Sequence, residues 1–71
     1  MTTELREALT EAANIIEDLV PWSEGGSDAA ADIRRHRDRP DDRVAAINAR
    51  NSLGSFRRID AAVQHALDLL A

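Results

Sequence analysis

Leu5, Leu9, Ala12, Ile16 and Leu19 recur at intervals of four, three, four and three, the period of one helical face. Ala8, Ala13, Ile15 and Val20 widen that stripe, while Glu4, Arg6, Glu7, Thr10, Glu11, Asn14, Glu17 and Asp18 fall on the opposite side. Thr2 or Thr3 suits the cap, the first turn is acidic, and Pro21 stops the run. The spacing predicts an amphipathic helix over 3–20.

Pro21-Trp22-Ser23-Glu24-Gly25-Gly26 reads as a loop. Ser27 is a fitting cap for a weaker helix over 28–38, whose apolar residues are Ala29, Ala30, Ala31 and Ile33. Pro40-Asp41-Asp42 resembles a new helix start, giving a third helix over 41–52. It carries Val44 and Ile47 on one side and Ala45, Ala46, Ala49 and Leu53 on another. Phe56, Ile59, Val63, Ala66 and Leu70 then step by three, four, three and four, predicting a fourth helix over 55–71 capped by Ser55. Gly54 marks the expected break. The alternative is one helix over 41–71, about 45 Å long, since a glycine inside a helix costs only about 1 kcal/mol.

These elements predict an all-α bundle of three to four helices forming one domain over 1–71. The chain has 71 residues, and of its apolar residues 13 are alanine and only 16 are Leu, Ile, Val or Phe. Fully burying one of those larger side chains is worth roughly 1.5–3 kcal/mol. So small a core is marginal, and self-association would enlarge it. Leu69 lies about 100° from the Val63–Leu70 line, and a second stripe on the last helix suggests a second neighbour. Leu5, Leu9, Ile16, Leu69 and Leu70 are therefore the expected interface of a homo-oligomer, a dimer being the simplest. Trp22 joins them as an interface anchor, with a plug over the end of the core as its other role.

Charge is divided along the chain. Residues 1–33 hold one Arg and eight acids, whereas 34–58 hold eight Arg and three Asp, within a net charge of −4. The basic middle either folds against the acidic first helix or meets an outside partner. All nine basic residues are Arg, and guanidinium pairs with carboxylate and phosphate alike. Arg34, Arg35, Arg37, Arg39, Arg57 and Arg58 are the candidate contacts to nucleic acid or an acidic partner. A helix-turn-helix would place Ser55, Arg57 and Arg58 at the start of a recognition helix. The motif's small residue, glycine and β-branched residue do not align with this chain in either available frame.

Chemistry beyond binding finds little support. There are no cysteines, which removes disulfides and thiolate metal sites. His36, inside the arginine run, and His65 are expected on solvated surfaces, and no phosphate loop or catalytic constellation forms. No enzyme, cofactor or metal is expected. No run of about 18 apolar residues and no leader pattern occurs, so a cytoplasmic protein is expected. Abundant Ala with Arg in place of Lys suits a high-GC bacterium or its phage.

The sequence thus points to a non-enzymatic helical module for protein–protein interaction and oligomerisation, an accessory or regulatory protein partnering itself and another protein. The alternative is a small dimeric DNA-binding regulator, repressor-like or antitoxin-like, that uses the arginine-rich middle.

Overall fold

A computed structural model describes residues 1–19 and 25–70. Four helices account for most of them: α1 (Thr3–Asp18), α2 (Gly26–Asp38), α3 (Arg43–Phe56) and α4 (Ala61–Leu70). No strand occurs among the described residues.

Each start has a local cause. The Thr2 hydroxyl accepts from the Leu5 amide at 3.1 Å, capping α1 as expected. Leu19 closes the helix through its amide to the Ile16 carbonyl, and Val20 lies outside the described residues. Ser27 is not the cap of α2. Gly25 precedes that helix at φ +84°, a left-handed conformation that favours glycine, and α2 begins before Ser27. Pro40 and Asp41 occupy a turn rather than a first helical turn. Asp42 caps α3 instead, its Oδ1 accepting from the Val44 and Ala45 amides at 3.0 and 3.1 Å.

The break between the last two helices falls three residues later than Gly54. Gly54 stands inside α3 with no atom within 4 Å of a Cβ built on it, so nothing there forces the chain to turn. Ser55 is not a cap either; its hydroxyl donates to the Asn51 carbonyl at 3.0 Å. Asp60 ends the continuity. Its Oδ1 accepts from the Ala62 amide at 2.8 Å and its carbonyl takes the Val63 amide, offering the backbone a cap in place of a continued helix. The fourth helix is present but starts at Ala61 rather than at 55, and α3 and α4 are separate helices.

Helix α1 packs on α2 and α4, and α3 packs on the same two helices. Helices α1 and α3 therefore sit diagonally across the bundle and turn their outer faces to opposite sides. Leu9, Ile16, Ile33, Leu53 and Val63 are fully buried between them, among seven buried alanines whose small side chains let the backbones approach. Leu5, Ile15, Phe56, Leu67, Leu69 and Leu70 line the rim. No helix among the described residues is long and apolar enough to cross a membrane.

Candidate functional site

Helical periodicity divides the arginine run into two sets. Arg34 and Arg37, three residues apart, turn toward α1. Arg34 Nη2 donates to Glu17 Oε2 at 2.6 Å and to Asn14 Oδ1 at 2.9 Å. That hydrogen bond, and then the charge behind it, holds the Glu17 carboxyl below the usual carboxylate range. Arg37 holds Asp38 through two bonds and reaches the Thr10 hydroxyl at 3.2 Å. The hydrogen bond from Arg37 likewise lowers the Asp38 carboxyl. Arg35 and Arg39 point outward over a shallow depression that Ala31, Asp38 and Asp42 also line. They form no ion pair among the described residues.

The same division separates the apolar residues of α3. Ala45, Ala49 and Leu53 are buried against the bundle. Val44 and Ile47, one turn apart on the outer side, are 65% and 59% exposed. Ala46, Ile47, Arg50 and Asn51 enclose a shallow pocket of about 220 Å³ on that side. Arg43, Arg50 and, just past the helix, Arg57 follow at seven-residue intervals, close to two turns, so they share one line, and Arg43 and Arg50 flank the apolar pair. None of the three has an ion-pair partner among the described residues. Arg50 donates to the Leu70 carbonyl at 3.0 Å, covering an orphan acceptor at the end of α4.

The residues expected at an oligomer interface fall in other parts of the fold. Leu9 and Ile16 are fully buried in this chain's own core, so no second copy reaches them while the fold is intact. Leu5, Leu69 and Leu70 pack half-buried against that core. Trp22 lies outside the described residues. Two apolar stripes on the third helix were the signal for Val44 and Ile47; periodicity alone does not say which of the two faces inward.

The acidic face of α1 is solvated. Glu4, Glu7, Glu11 and Asp18 are exposed, with Glu4 Oε1 at 4.0 Å from His65 Nε2. Thr3, Arg6, Glu7, Thr10, Glu11 and Asn14 line a shallow groove along that face. His65 is exposed, as expected, but His36 is not: only 7% of it is accessible. It sits on the buried side of α2 and its Nδ1 has no hydrogen-bond partner. Burial, and then the charge of Arg50, pushes its pKa below that of an ordinary imidazole.

Arg57 and Arg58 occupy the turn between α3 and α4. Helix α4, which a helix-turn-helix would use for recognition, carries no arginine. No three His, Asp or Glu side chains among the described residues come together to hold a metal ion. What the chain presents is thus a small all-α bundle with an acidic helix on one side and an apolar, arginine-bordered helix on the other. Compared with family models, curated proteins and solved structures, it matches none of them.

Proposed function

We propose that the protein is a small cytoplasmic accessory module that acts by binding other proteins, without a catalytic step, through the outer face of α3. The exposure of Val44 and Ile47 carries this reading. Asp42 caps the helix just before them, so they lie on a well-formed element rather than a frayed end. Apolar surface in the open, rimmed by polar and charged groups, is the composition of a binding face. Arg43, Arg50 and Arg57 add donors that pair well with carboxylates, and they favour an acidic polypeptide as the partner.

A photoreactive amino acid in place of Ile47, installed in cells of the source organism, tests the reading. The expected products are adducts of defined mass that resist nuclease, are digested by protease, and disappear when Val44→Asp is added. Nuclease-sensitive adducts, or none, would contradict it.

One observation favours nucleic acid as a second reading: Arg35, Arg39, Arg43, Arg57 and Arg58 have no ion-pair partner among the described residues. Phosphate contacts would make duplex binding fall by orders of magnitude between about 50 and about 200 mM salt. Fluorescence anisotropy of a labelled mixed-sequence duplex measures this. The protein-binding reading expects no binding at either concentration.

A further inference from the structure

We infer that the polypeptide received by the outer face of α3 is α1 of a second copy of this chain, so that copies join head to tail. This inference rests on the reading of that face as a protein-binding surface. Its motive is a match of charge and spacing between two faces that cannot meet within one molecule. Along α3 and its C-cap, which keeps helical backbone angles at Arg57, Arg43, Arg50 and Arg57 succeed each other by seven residues; on α1, Glu4, Glu11 and Asp18 do the same. Seven residues fall about 20° short of two full turns, so each trio follows one line along its helix, with steps of about 10.5 Å. Two lines of equal length and opposite charge align whichever way the helices run. Arg50 opposes Glu11 in both directions, and the outer arginines oppose Glu4 and Asp18 in either order.

The positions of the two helices make an intramolecular pairing impossible and an intermolecular one open. Helices α1 and α3 are diagonal in the bundle, and α4 stands between the two lines, its His65 beside Glu4 and its Leu70 carbonyl bonded by Arg50. All three acids are exposed, as are Arg43, Arg50 and Arg57. Beside the acids runs the shallow groove lined by Thr3, Arg6, Glu7, Thr10, Glu11 and Asn14, which gives the ridge of Val44 and Ile47 a seat. There the aliphatic stems of Glu7 and Glu11 cover the apolar pair while their carboxylates stay at the rim. A second α3 is a poorer occupant, since it would set arginine against arginine. The interface is heterologous, because each copy uses different faces as donor and receiver. It therefore builds rings or open chains rather than stopping at a two-fold dimer.

Charge reversal at the ends of each line tests the pairing and leaves Arg50, with its bond to the Leu70 carbonyl, untouched. Sedimentation equilibrium from micromolar to millimolar protein would be measured for wild type, for R43E/R57E and for E4R/D18R. Circular dichroism would show that each variant melts as the wild type does. The expected result is wild-type association that grows with concentration and weakens with salt, and that becomes roughly tenfold weaker or more in either variant alone. Mixing the two variants restores it, because each then offers the other an opposite charge at both faces. Three outcomes overturn the inference: a wild type that is monomeric at millimolar concentration, association indifferent to both reversals, or a mixture that fails to recover. If the wild type is monomeric while the adducts from position 47 still form with another polypeptide, the second-copy inference falls and the protein-binding reading stands.

Discussion

Ile47 and Ala49 stand two positions apart on α3 and at opposite extremes of burial, 59% and 0% exposed. The bundle needs Ala49, whose small side chain sits where α3 meets its neighbours, and leaves Ile47 to solvent. The larger apolar residue of the two contributes little to the fold. A change at Ile47 therefore reports on association, and a change at Ala49 on folding.

Ile47→Ser should leave the unfolding free energy of the monomer within about 0.5 kcal/mol of wild type, as for other exposed positions. Ala49→Leu should cost about 1–3 kcal/mol, because it forces extra methylenes into a filled contact. Equilibrium urea unfolding at low protein concentration measures both. Equal losses would mean that Ile47 is packed after all.

His36 makes stability depend on pH. In the folded chain its neutral form is favoured, because burial and the nearby Arg50 disfavour a second positive charge. In the unfolded chain it takes up a proton below about pH 6.5. The unfolded state then binds more protons, so stability falls as pH drops through the window between that value and the depressed folded one. Above the window the contribution is complete. Urea unfolding at about pH 8 and about pH 5.5 should show the loss, and His36→Leu should flatten the slope. A slope unchanged in His36→Leu but abolished in His65→Gln would assign the effect to the wrong imidazole.

The two described glycines with backbone roles should respond in opposite directions. Gly54→Ala should stabilise the protein by roughly 0.5–1 kcal/mol, since the residue is helical and its Cβ would meet nothing. Gly25→Ala should destabilise by roughly 1–2 kcal/mol, because φ +84° is costly for an L side chain. Thermal melts of the two variants check this. A stabilising Gly25→Ala would show that the turn before α2 does not need its left-handed residue.

These glycines also show how much of the fold was legible in the sequence. Apolar periodicity located all four helices, because burial of a stripe is a strong, repeated signal along α1 and α4. It misplaced the last break because glycine is only a weak breaker, while Asp60, four residues past the end of α3, supplies a cap in the right place. Five charged residues lie within three positions of His36, which predicts a solvated side chain. On a helix, however, i, i+3 and i+4 share a face, which puts Ile33 beside His36 and turns both inward. The outer strip of α3 was visible as one of two apolar sides; choosing between them required the packing of α2 and α4. The acid–arginine pairing inside the chain was foreseen in kind, and the helical phase of Arg34 relative to Arg35 decides which arginine takes part.

The central claim is that the protein meets its partners on the outer face of α3 and not on the arginine-bearing outer face of α2. The same photoreactive residue placed in turn at position 47 and at position 35, in otherwise wild-type protein, compares the two faces directly. Polypeptide adducts from position 47, with none from position 35, are the predicted result. Adducts from position 35 alone, whether to polypeptide or to nucleic acid, would contradict it.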